Sequence, residues 1–298
     1  MADRARTGST GALGRLRPSG ALVGVVPFFA YTTVFLLIPT LVVVVGAFLD
    51  GSNRPTLGNV SGLTQPAVVR GLTQSLILSA VTALGGAVLG GLLAYAVSTA
   101  RPGSVTKRFV TSVCGVLAQF GGVALAFAFM ASFAANTGLI TKLLAGVGID
   151  TGSGFWLYEW DKGLMLVYLY FQIPLMLIVF LPAVEGLRPQ WREATETLGG
   201  TAWTYWRRVA APILFPSFVG ATLLLFTNAF SAYATAAALV SQGQPLIPLQ
   251  IAATFRSEVL LGQENLGKAM ALAMVVIVAI VMAIYAWLDK RSSRWMQR

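Results

Sequence analysis

Residues 68–99 read VVRGLTQSLILSAVTALGGAVLGGLLAYAVST, and Arg70 is the only charge among them. The apolar residues do not alternate with polar ones, so this is not a barrel strand with one face in lipid. A helix needs about 20 apolar residues to cross a bilayer, and this run exceeds that. Comparable runs occupy residues 21–49, 109–135, 163–187, 212–240 and 266–288. The chain therefore reads as an all-α polytopic membrane protein with six transmembrane helices. Several runs are longer than a crossing requires, which implies tilt or protrusion. Pro27, Pro39, Pro174, Pro182, Pro212 and Pro216 free backbone carbonyls, so these helices should bend and pack against neighbours.

Composition agrees. Of 298 residues, 56% are hydrophobic and 11% charged, against about a quarter charged in soluble domains. Histidine is absent, which removes the commonest zinc ligand and general base. Cys114, the single cysteine, can form neither an intrachain disulfide nor a thiolate cluster and reads as a packing residue.

The net charge of +10 is unevenly placed. Fifteen Lys and Arg residues fall in the two ends and in the loops after the second and fourth runs, against six on the other side. Acids divide five against six, so one side carries the whole excess. The positive-inside rule then puts both termini in the cytoplasm. Anionic lipid headgroups explain the basic side, and nucleic acid is not needed as a partner. Residues 1–20 read as a basic cytoplasmic tail, 21–290 as one six-helix domain, and 291–298 as a second cytoplasmic tail.

The loop between the fourth and fifth runs, about residues 188–211, is the most informative. Residues 193–198 suit a short helix, and Gly199-Gly200 can supply a left-handed turn to end it. A second short helix then presents Trp203 and Trp206 on one face. Pro212 marks the start of the fifth span, where a missing N–H costs least.

This loop resembles the EAA loop of permease subunits in bacterial ABC importers: Glu-Ala-Ala, three residues, Gly, nine residues, Ile-x-Leu-Pro. Glu193, Ala194, Gly199 and Pro212 are in register, with Val209 at the Ile position. Thr195 and Ala211 depart from the pattern at the second Ala and the Leu. The resemblance implies the type I ABC importer permease fold in the bacterial inner membrane. It also implies a second permease subunit, two ATPase subunits, and an extracytoplasmic substrate-binding protein. Glu193, Ala194, Gly199, Gly200, Trp203 and Pro212 would couple this chain to the ATPases. ATP and Mg would be bound by those partners, with no cofactor and no catalysis in this chain. The competing reading is an amphipathic loop lying on the headgroups.

Residues 226–235 and the Thr197-Leu198-Gly199 run resemble the spermidine/putrescine branch, which implies a polyamine as the cargo. Iron(III), thiamine, aminophosphonate and sugar permeases are the alternatives within the same machinery. Spacings of three and four put Asn228, Ser231 and Thr235 on one helical face. With Tyr233, these polar groups either line a wet path or hold helices together. Gln119 and Gln172 carry the same two readings. No Asp or Glu falls mid-span, which argues against an ion-coupled secondary transporter. It also leaves no buried acid to hold a polycation. The missing His and paired carboxylates argue against a membrane enzyme.

Gly262, Gly267 and Lys268 fit G-x-x-x-x-G-K, but Ala269 replaces the magnesium-binding hydroxyl and no strand precedes it, so a nucleotide loop is rejected. Trp156, Tyr158, Glu159, Trp160 and Asp161 read either as an aromatic belt or as a docking site for the binding protein.

Overall fold

The computed structural model describes residues 20–101, 103–134, 138–148, 155–240, 245–256 and 264–296. The basic tail lies outside them except for Gly20. In order, α1 (Gly20–Thr32) passes through a π segment (Thr33–Leu37) into α2 (Ile38–Gly46). Then come α3 (Gly58–Gly62), α4 (Pro66–Ser98), α5 (Val105–Gln119), α6 (Gly122–Phe133), α7 (Leu139–Gly146) and α8 (Gly163–Glu185). The rest are α9 (Pro189–Thr197), α10 (Ala202–Tyr205), α11 (Ala211–Ser231), α12 (Ala234–Leu239), α13 (Ile247–Arg256) and α14 (Glu264–Met296).

Five of the six expected spans are present as helices long and apolar enough to cross: Val25–Gly46, Pro66–Ser98, Gly163–Glu185, Ala202–Ser231 and Glu264–Trp287. The third is not one span in a straight line. Its two halves, α5 and α6, meet at 102°. Gly122 sits at the corner with φ +67°, a left-handed conformation that glycine takes without a steric cost. With 15 and 12 residues, each half is shorter than a crossing.

Close approach of α4 to α8 organises the bundle. A Cβ on Gly90 would lie 2.5 Å from both the Ile173 carbonyl oxygen and the Met176 Cβ. One on Gly86, a turn earlier on the same face, would lie 2.8 Å from the Gln172 Cβ and 3.2 Å from Leu225 of α11. Small residues four apart let backbones approach closely, which in lipid replaces the hydrophobic drive that water supplies. Around this seam Ala83, Ala87, Met176, Leu177 and Leu225 are buried. A second core gathers Leu164, Tyr168, Phe171, Leu239 and Leu246.

The first span departs from expectation. Its proline-bearing helix was expected to pack, yet none of its 18-residue apolar window is buried. Its far end engages the bundle, where Lys268 of α14 lies over Gly46. An apolar helix closes its own hydrogen bonds, so lipid accepts it without neighbours.

Gly90→Ala should lower the thermal midpoint of the purified protein, since overpacking costs about 1–3 kcal/mol. Gly115→Ala is the control, because nothing lies within 4 Å of its added Cβ. Equal midpoints for the two variants would contradict the seam.

Candidate coupling loop and transport path

Residue Pro189 opens α9 at a position where its missing N–H has no partner to lose. At the other end the Gly199 N–H donates to the Glu196 carbonyl (3.0 Å) and the Gly200 N–H to the Thr195 carbonyl (2.9 Å). Gly199 has φ +77°, completing the left-handed helix stop expected there. Gly200 is needed for space, since a Cβ on it would lie 2.7 Å from the Thr195 Cγ2. Thr201 then caps α10, its hydroxyl accepting from the Thr204 N–H at 3.4 Å.

What this turn displays is asymmetric. Arg192 pairs with Glu196 (3.0 Å), and Glu193 is exposed with no ion-pair partner among the described residues. Ala194 is exposed beside it. Leu198 and Trp203 are 88% and 72% exposed, an apolar pair flanking the turn. Trp206 does not share that face as expected. It packs edge-on against Tyr95 of α4, with ring centroids 5.1 Å apart.

Nor is the second helix short. A π segment (Trp206–Ala210) joins α10 to α11, so Ala202–Ser231 is one continuous helix of 30 residues. Pro212 lies inside this rod instead of starting a span. Proline cannot donate to the preceding turn, and the widened segment just before it shifts the hydrogen-bond register. The start of α5 and the end of α8, placed on one side by charge in the sequence, meet through the Lys107–Glu185 ion pair (2.5 Å).

The polar residues of the fifth run are not gathered on one face. The rod stops at Ser231, and Thr235 begins the separate α12, where it is buried. Asn228 and Ser231 stay on exposed positions of α11, the Ser231 hydroxyl donating to the Thr227 carbonyl at 2.9 Å. The break is held by Tyr168, whose hydroxyl donates to the Ala232 carbonyl at 2.7 Å. Tyr233 lies in the break and carries the Arg256 guanidinium 5.8 Å above its ring. Gln172 is fully buried, its Nε2 donating to the Thr82 hydroxyl at 2.8 Å, so it ties α8 to α4. Its Oε1 has no hydrogen-bond partner among the described residues. Gln119 ends α5 just before the corner.

Sequence reasoning missed how the two breaks meet. Helices α6 and α12, one from each broken run, pack together, and a Cβ on Gly122 would lie 3.7 Å from Ala234. The Gly121-Gly122 dipeptide was the legible signal for one break; Arg256, brought from α13, carried none.

The remaining signals resolve simply. Gly267 and Lys268 are helical, Lys268 donating to Asn265 at 2.8 Å, and Gly262 lies outside the described residues. Cys114 is buried between helices. Tyr158 and Trp160 pack partly against the core, while the Trp156 side chain is outside the described set. Lys162 donates to Glu159, and that bond raises its pKa.

Residues 86–294 match the family model of binding-protein-dependent transport system inner membrane components. The chain belongs to this family. It is 23% identical over 273 residues to the spermidine/putrescine transport system permease protein PotB of Haemophilus influenzae, covering 89% of this chain and 93% of that protein. It is 27% identical over 172 residues to the sulfate transport system permease protein CysT of Escherichia coli, covering 57% of this chain and 58% of that one. Its fold matches a chain of a bacterial ABC transporter that imports the acidic polysaccharide alginate, with TM-score 0.76 at 16% identity over 91% of this chain and 95% of that one. This permease family is a multi-pass inner-membrane one, with the type I ABC importer fold.

Gly199→Val places a β-branched residue at a left-handed position, a conformation costing L-residues about 1–2 kcal/mol. Amide hydrogen exchange at Leu198 and Gly200 should accelerate by roughly tenfold in this variant. Unchanged exchange would show that the turn does not depend on glycine.

Proposed function

We propose that the chain forms half of the translocation path of an ATP-driven importer, beside a second permease subunit. Two ATPase subunits bind its cytoplasmic face and a binding protein delivers solute outside. Both termini lie in the cytoplasm, in keeping with the charge distribution. The observation that carries this reading is the unbroken rod from Ala202 to Ser231. At about 1.5 Å per residue it spans roughly 45 Å. One end holds the exposed Glu193, Leu198 and Trp203 face, and the other ends at the paired helix breaks.

A rigid element with a grip at one end and an irregular segment at the other can turn a push into movement of the path. Discontinuous helices are where transporters build solute paths, because unpaired backbone is tolerated only against protein or water. Asn228, Ser231, Tyr233 and Thr235 lie at or beside the break. In this mechanism ATP closes the ATPase dimer, the loop is displaced, and the path opens outward; hydrolysis resets it. Glu193 supplies the charge for a basic groove on the ATPase, and Ala194, Gly199, Gly200, Trp203 and Pro212 shape its surroundings.

Polyamine is the proposed cargo, supported by the PotB likeness along nearly the whole chain. With no acid in the middle of a described span, selection would fall to the binding protein. A second reading is an anionic solute, favoured by Arg256 standing over Tyr233 at the break.

Glu193→Lys should leave membrane insertion intact and abolish uptake of labelled substrate by cells expressing the whole locus; wild-type uptake in that variant would remove the coupling role. Labelled spermidine and labelled sulfate, offered in parallel, separate the cargo readings. Spermidine uptake insensitive to Arg256→Gln supports the polyamine, whereas sulfate uptake lost in Arg256→Gln supports the anion.

A further inference from the structure

Behind the loop that carries Glu193 lie two joined cavities. The first is an apolar groove of about 430 Å³ between α4, α8 and α11, walled by Gly91, Leu92, Phe180, Leu214, Phe215 and Phe218. Leu92 and Phe215 are about 60% exposed, so the groove opens sideways, in the direction of the lipid around the bundle. The second is a cleft of about 700 Å³ at the end of the bundle where α9 begins. Tyr95, Val184 and Trp206 line both, so the groove runs directly into the cleft.

Charge separates the two. No ionisable group but the Tyr95 phenol lines the groove, while the cleft carries Lys107, Arg188 and Arg192 against one acid, Glu185. Glu185 is committed to Lys107, and Arg192 is tied to Glu196. Arg188, at the N-cap of α9, has no acidic partner among the described residues. An apolar slot open to the side, ending at three basic side chains of which Arg188 is uncompensated among the described residues, has the form of a lipid with an anionic head.

We infer that this composite cavity holds an anionic phospholipid of the cytoplasmic leaflet, one acyl chain in the groove and the phosphate among Lys107, Arg188 and Arg192. The inference rests on the orientation proposed above. A second copy of this chain does not fit as well: its own charges are basic at this end, and an apolar helix filling the groove leaves Arg188 unpaired. The bound head anchors the start of α9, and so the loop, to the membrane.

The test uses the whole transporter purified in detergent and exchanged into nanodiscs of phosphatidylglycerol and phosphatidylcholine in equal amounts. Co-purified lipid is counted by mass spectrometry, without ATP, so a failure of coupling does not enter the readout. Retention should favour phosphatidylglycerol by roughly fivefold, as one uncompensated cation at a membrane surface implies. Arg188→Gln should erase most of that preference. Leu92→Trp, at an exposed position that tolerates bulk, should expel the lipid by filling the groove. Equal retention of the two lipids, unchanged retention in both variants, or full competition by glycerol 3-phosphate would each overturn the proposal. Cytoplasmic orientation is read separately, by labelling Ser98→Cys with a membrane-impermeant thiol reagent in right-side-out and inverted vesicles.

Discussion

The contact on which the other helices depend is the crossing of α4 over α8 at Gly86 and Gly90. Lipid tails are as apolar as leucine, so these helices gain little from hiding apolar surface and must gain instead from close packing. Two glycines a turn apart permit backbone-to-backbone approach, and that approach brings Gln172 to Thr82 and Leu225 of α11 onto the same seam. Lys107 and Glu185 then latch α5 to the end of α8. The first span has no comparable small face in its exposed stretch and meets the bundle at its far end.

The second constraint is that a backbone group in the membrane must find a partner. It explains why the breaks in the third and fifth runs are not scattered. The Ala232 carbonyl, freed where α11 ends, is met by the Tyr168 hydroxyl from a buried position in the second turn of α8. The corner at Gly122 is set against Ala234 just past that break. Two irregular segments therefore share one place, and the helix runs unbroken from there back to the loop.

Much of this was legible beforehand. Apolar runs marked the spans, because length and the absence of charge are all that a bilayer asks of a helix. Gly199-Gly200 marked the loop turn, because a helix stop needs a left-handed residue, whatever surrounds it. The sorting of basic residues put the start of α5, with Lys107, and the end of α8, with Glu185, at one end. Less legible was the behaviour of the fifth run, where nothing between Asn228 and Thr235 is a helix breaker. Continuing the helical period placed Thr235 beside Ser231, and the structure puts them on different helices.

The sequence alone thus determined what depends on local chemistry: which stretches enter the membrane, which loops group by charge, and where α9 stops. Tertiary structure decided what depends on residues far apart in the chain. The end of α11 requires Tyr168, Trp206 turns inward because Tyr95 is there to receive it, and Gln172 becomes a tie between helices because Gly86 lets Thr82 come near. Each outcome rests on a partner tens of residues away or more, and the helical period of a single segment carries no information about such a partner.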